Sequence, residues 1–155
     1  MPTAHTELLA KVHLFAGLSP DVLQLIAAIG DEEEHRTGTT VFHHGDAGDR
    51  LYLILQGKVR ISRTIPGMGE EALAVLGPGD AFGEMSLFDD APRSADALVH
   101  DTCRLLSIPR NRFEELLFTR QDVAHDVLWS AVRILSKRLR ETNDKLTFLS
   151  VSAKF

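Results

Sequence analysis

Between Thr37 and Ile108 the chain is cut into short β-rich runs, and each run is closed by turn residues. The runs are "TTVFHH", "RLYLILQG", "KVRISRTI", "EALAVL", "SADALVH" and "CRLLSI", with "GDAGD", "PGMGE" and "GPGD" among the breaks. Strands of about four to eight residues punctuated in this way predict an antiparallel sandwich or roll. Gly45, Gly48, Gly57, Gly67, Gly69, Gly77, Gly79 and Gly83 place most of the chain's 11 glycines in this region. Repeated turns with positive φ need them there.

The flanks read differently. Residues 1–36 are predicted to form N-terminal helices. In "LSPDVLQLIAAIG" Ser19 is the N-cap, Pro20 occupies the first helical position and Gly30 ends the helix, with Leu23, Ile26 and Ala27 as its apolar stripe. Residues 109–149 are predicted to be helical again, opening with "PRNRFEELLF".

From Gln121 to about Leu149 there is neither proline nor glycine. Leu128, Leu135, Thr142 and Leu149 recur every seventh residue, and so do Val132, Leu139 and Leu146, with His125 ahead of that second row. Such a seam is the pattern of a two-stranded coiled coil. A helix of ~28 residues is ~42 Å long, more than a small β core can cover. A parallel homodimer through residues 121–149 is therefore expected, the alternative being a helix lying back over its own domain. Thr142 and the adjacent Asn143 interrupt the seam, either as tolerated polar residues or because something polar arrives there.

A chain of 155 residues is most simply one domain, residues 1–155, with enough mass for a core. Its single cysteine, Cys103, excludes an internal disulfide framework or a Cys-rich metal site and reads as a buried strand thiol. No run approaches the ~18 apolar residues of a membrane span. The start "MPTAHTELLAKVHLF" lacks the pattern of a secretory signal, so a cytoplasmic location is expected. The net charge of −5 argues against a nucleic-acid surface. His43 and His44 are neighbours and point to opposite faces of a strand, no histidine has an evident Ser, Cys or Asp partner, and an enzyme is not expected.

The stretch "GDAFGEMSLFDDAPRSADALV" breaks the β pattern with a polar excursion. It predicts a tight turn at Gly83, a short helical turn through Met85 to Phe88 and an acidic loop, with Arg93 at the return to a strand. Arg93, the Ser94 hydroxyl and the Ala95 N–H suit an anion, whereas ionised Glu84 accepts only and suits a hydroxyl. A phosphate clamp beside a hydroxyl acceptor describes a ribose phosphate. On spacing alone, a Glu84–Arg93 salt bridge that staples the loop is the alternative.

The region resembles the cyclic nucleotide-binding domain shared by catabolite activator proteins, cyclic-nucleotide-dependent kinases and gated channels. "VFHHGDAGDRLYLILQGKVRI" resembles the first part of its β-roll, and "VLGPGDAFGEMSLFDDAPRSADALV" its phosphate-binding cassette, residues 82–95. The resemblance implies a mainly β, antiparallel, jelly-roll-like β-roll with N-terminal helices and a long C-terminal dimerisation helix. It implies that Arg93, Ser94 and Ala95 hold a cyclic phosphate and that Glu84 accepts from the ribose 2′-hydroxyl. Gly83 would admit the backbone closely, within a cassette that includes Phe82, Met85 and Ser86. Leu73 and Val75 would pack on the ligand, and Thr142 and Asn143 would contact the purine, favouring cAMP, although Ser94 also suits cGMP.

The catabolite activator proteins continue into a helix-turn-helix DNA-binding domain, which this sequence has no room for after "TFLSVSAKF". A stand-alone sensor or the sensor fragment of a larger transcription regulator is expected, with no nucleic acid bound by this chain and no membrane. The competing function is a ligand-independent β-roll that docks another protein. "RILSKRLR" reads as the solvated flank of the dimer seam.

Overall fold

The structure is a computed structural model and describes residues 4–154. Its elements in chain order are α1 (Ala4–Leu9), a 3-10 turn (His13–Phe15), α2 (Pro20–Ala28), β1 (Asp31–His35), β2 (Thr40–Phe42), β3 (Arg50–Ile65) and β4 (Gly69–Leu76). They continue with β5 (Ala81–Phe82), a second 3-10 turn (Glu84–Leu87), β6 (Asp96–Pro109), α3 (Arg110–Thr119) and α4 (Gln121–Lys154).

β3 and β6 form the spine, paired antiparallel from Arg50↔Pro109 to Ser62↔Asp96. Each fuses two of the runs that the sequence suggests. Gly57 on β3 sits among register shifts between Ile54 and Val59, so the strand bends there without ending. Such irregularities bend a strand and increase its twist. β1 and β2 flank opposite halves of β6, while β5 and β4 flank opposite halves of β3. The six strands make the expected antiparallel β-roll.

Side-chain alternation separates two apolar clusters. Leu51 and Leu53 of β3, with Leu106 and Ile108 of β6, face the helices and pack with Phe15, Ile26, Phe113 and Val127. Their neighbours Tyr52, Ile54 and Leu105 point into the roll with Val99 and Phe82. Successive residues face opposite sides of a strand, so a strand covered on both sides reads as one continuous apolar run. Cys103 lies in the inner cluster, and burial raises its thiol pKa.

The N-terminal part is not wholly helical. "DEEEH", expected within the helices of residues 1–36, is β1, paired from Asp31↔Ser107 to His35↔Cys103. Acidic residues are poor strand formers, but charge is common on sheet edges. Glu32 supports this strand, meeting His5 Nε2 at 2.6 Å and forming a salt bridge with Arg104 at 2.7 Å.

α2 starts as expected, with the Val22 N–H donating to Ser19 Oγ at 3.3 Å and Pro20 in the first turn. Ser19→Ala leaves that N–H without its cap and should cost about 1 kcal/mol. Urea denaturation checks this; a loss below ~0.3 kcal/mol would show that the cap carries no stability.

α4 runs to Lys154, beyond the Leu149 expected. Val123, Val127 and Ala131 are buried against the domain's own core, and Ile134 packs beside them. The other face leaves Leu128, Val132, Leu135, Leu139, Leu146 and Leu149 exposed. The helix thus lies back over its domain for its first turns and then projects. Among the described residues, no helix is long and apolar enough to cross a membrane.

Candidate functional site

The turn after β5 is built around Gly83, at φ +79°. A Cβ there would collide with Arg93 Nη1 and lie 3.0 Å from the Arg50 carbonyl oxygen. Gly48 is constrained by space: its Cβ would strike Ser86 Oγ. These two glycines let the 3-10 turn, the 45–50 loop and Arg93 close on one another. Arg110 at the start of α3 fastens the loop from outside, donating to the carbonyls of Ser86 (3.3 Å) and Asp89 (2.5 Å) and pairing with Asp90 at 2.6 Å.

Arg93 is 6% exposed. Its backbone is tied to the 45–46 turn, with Arg93 N–H donating to the Asp46 carbonyl and Gly45 N–H to the Arg93 carbonyl, both at 2.8 Å. Nη1 donates to Ser86 Oγ at 2.8 Å and Nη2 to the Arg50 carbonyl at 2.9 Å. Its Cζ lies 4.2 Å from the Phe42 ring centroid, and Tyr52 and Phe82 stack beside it at 5.1 Å. Nε is buried without a hydrogen-bond partner. No carboxylate pairs with this guanidinium among the described residues, and burial lowers its pKa.

Glu84 does not pair with Arg93. Its Oε1 accepts from Arg138 Nη2 of α4 at 2.8 Å, so the loop-stapling salt bridge is replaced by one between cassette and helix.

Phe42, Phe82, Glu84, Ser86, Arg93 and Arg138 are among the residues that line a cleft of about 540 Å³, within the range of ligand pockets. Burying a charge without a counter-ion is costly unless something compensates it. Aromatic faces and neutral oxygens offset part of that cost and leave the positive charge unneutralised. The cleft therefore offers a buried cation for an anion, with the Glu84 carboxylate as a hydroxyl acceptor at its edge.

The family model described as the cyclic nucleotide-binding domain matches residues 32–120, the span that holds every one of these groups except Arg138. The chain belongs to the cyclic nucleotide-binding domain family. It is 36% identical over 143 residues to a CRP-like cAMP-activated global transcriptional regulator of Mycobacterium tuberculosis, covering 92% of this chain and 62% of the relative. It is 39% identical over 137 residues to the cyclic AMP receptor protein of Thermus thermophilus, covering 88% of this chain and 62% of that protein. The chain thus spans under two thirds of these relatives. Its fold matches the crystal structure of the N-terminal domain of a Streptomyces coelicolor A3(2) transcriptional regulator, with a TM-score of 0.80 and 39% identity, covering 88% of this chain and 95% of that domain.

Within this cyclic nucleotide-binding domain, Phe82, Gly83, Glu84, Met85, Ser86, Arg93, Ser94 and Ala95 all line the cleft. Leu73 and Val75 do not: both are exposed on the edge strand β4. Ile61, which does line it, pairs with Ala74, so β4 turns Ala74 towards that side. Thr142 and Asn143 lie exposed on α4, outside the cleft, and the Thr142 hydroxyl donates to the Arg138 carbonyl at 2.9 Å.

Phe42, Ile61, Ala81 and Arg138 line the cleft from outside the expected cassette and were missed by the sequence reasoning. Phe42 and Ile61 look like any strand residues in sequence. Arg138 belongs to "RILSKRLR", read as a solvated flank, and the structure corrects that reading by placing it on Glu84.

Proposed function

We propose that this domain is a cAMP sensor that relays ligand binding through α4 of a homodimer. Arg93 carries the reading: it is a buried cation with no carboxylate partner among the described residues and an Nε without a hydrogen-bond partner, and the exocyclic oxygens of a cyclic phosphate supply the missing counter-charge. Ser94 and the Ala95 N–H add donors, and Ser86 holds Arg93 in place. Glu84 accepts from the ribose 2′-hydroxyl, in competition with Arg138. The relatives named for cAMP favour the adenine nucleotide. Thr142 and Asn143 offer acceptors to an exocyclic amine, one helical turn beyond Arg138. Contact with Leu73 and Val75 requires the β3–β4 hairpin to close over the ligand.

Binding then changes the Glu84–Arg138 contact and, with it, the preferred position of α4. The shift is bounded by the differential affinity of the ligand for the two arrangements. The output passes to another protein or domain. The same ion pair supports a second reading, a roll that docks a protein with its cleft closed by Arg138 and no ligand required.

Two titrations test the proposal. Glu84→Ala should reduce the preference for cAMP over 2′-deoxy-cAMP by about 1.5–3 kcal/mol, the range for hydrogen bonds to charged groups. An unaltered preference would remove Glu84 from the ribose. Thr142→Ala should narrow the cAMP/cGMP affinity ratio more than it lowers total affinity; an unchanged ratio would remove Thr142 from the base site.

A further inference from the structure

A second cavity of about 230 Å³ lies on the other side of the Glu84–Arg138 pair, between the 3-10 turn at His13–Phe15, the cassette turn and α4. Leu14, Met85, Phe88 and Ile134 supply apolar wall. Met85 and Phe88 are 40% and 37% exposed, so an apolar occupant would cover surface that the fold leaves uncovered. An apolar cavity of about 150 Å³ already admits benzene.

The rim carries charges of both signs. Asp80 accepts from the Gly77 N–H at 2.9 Å and has no ion-pair partner among the described residues, whereas Glu84 pairs with Arg138. Lys11 also lines the rim and has no ion-pair partner among the described residues. Among the described residues the Lys11 ammonium has no hydrogen-bond or ion-pair partner for its charge, while the Asp80 carboxylate is held by the Gly77 N–H, so the chamber suits a small molecule with an apolar body and a single carboxylate set on Lys11.

We infer that this cavity is a second ligand site, selective for small aryl or alkyl carboxylates, with Lys11 as the charge partner. Because Glu84, Met85 and Arg138 belong to both chambers, the occupant acts on the cassette. That regulatory half rests on the cyclic-nucleotide reading; the binding half does not.

The test uses 3-phenylpropionate and its neutral amide against protein carrying 13C-methyl methionine. The chain has three methionines; Met85 reports on the cavity, while Met68, 77% exposed on the β3–β4 hairpin, is the control. The acid should shift the Met85 methyl saturably and leave Met68 unmoved, and the amide should bind more weakly. Lys11→Glu, a surface change, should weaken the acid by about tenfold, whereas Arg93→Met should leave its binding intact. No saturable shift, equal binding of acid and amide, or indifference to Lys11→Glu would overturn the site. Loss in Arg93→Met would place the acid in the nucleotide cleft and overturn it as well. For the regulatory half, saturating acid should change the cAMP dissociation constant about fivefold or more; identical constants with cAMP still bound would overturn coupling alone.

Discussion

Arg93→Met should weaken cyclic-nucleotide binding by about 2–4 kcal/mol, roughly 30- to 1,000-fold, without lowering the stability of the fold. The two halves of this result have one cause. The guanidinium is buried against Phe42 and Tyr52 with neutral oxygens as its hydrogen-bond partners and no carboxylate. Replacing a buried, uncompensated charge by an apolar chain of similar length removes a desolvation cost, which offsets the loss of the hydrogen bonds to Ser86 Oγ and the Arg50 carbonyl. Isothermal titration gives the affinity and guanidinium unfolding the stability. Unchanged affinity would remove Arg93 from the phosphate site. Loss of folding would make Arg93 a structural staple.

A comparable effect is expected in the α4 seam. The protein should sediment at twice its 17.1 kDa protomer mass, and Leu139→Asp should return it to the protomer mass at micromolar concentration. Leu139 is 62% exposed in the single chain, in line with the exposed Val132 and Leu146. Burying a leucine is worth about 1.5–3 kcal/mol; a symmetric seam loses this twice and also faces two carboxylates with each other. The fold should survive, because the face packed on the domain is the other one, Val123, Val127 and Ala131. A wild-type protomer mass up to high micromolar concentration would contradict the dimer.

The roll was legible because its turns are written in glycine, and the cassette because Gly83, Glu84 and Arg93 fall within one short excursion. Strand lengths were less legible: Gly57 looks like a turn but sits at an irregularity inside β3. β1 was missed because "DEEEH" draws its strand state from the ladder with β6 and from pairs such as Glu32–Arg104, both distant in sequence. The cleft-lining role of Arg138 depends on where α4 crosses the cassette, which no local pattern encodes. Leu73 and Val75 alternate like wall residues, yet β4 is an edge strand and leaves both exposed. In each of these cases the missing information was tertiary placement.

The most direct test of the sensor reading is isothermal titration of nucleotide-free protein with cAMP, cGMP and cyclic di-GMP. The expected result is saturable binding near one cAMP per chain, weaker binding of cGMP and none of the dinucleotide. A folded, nucleotide-free protein that binds none of them would contradict it, and Arg138 on Glu84 would then be the closed cleft of a docking module.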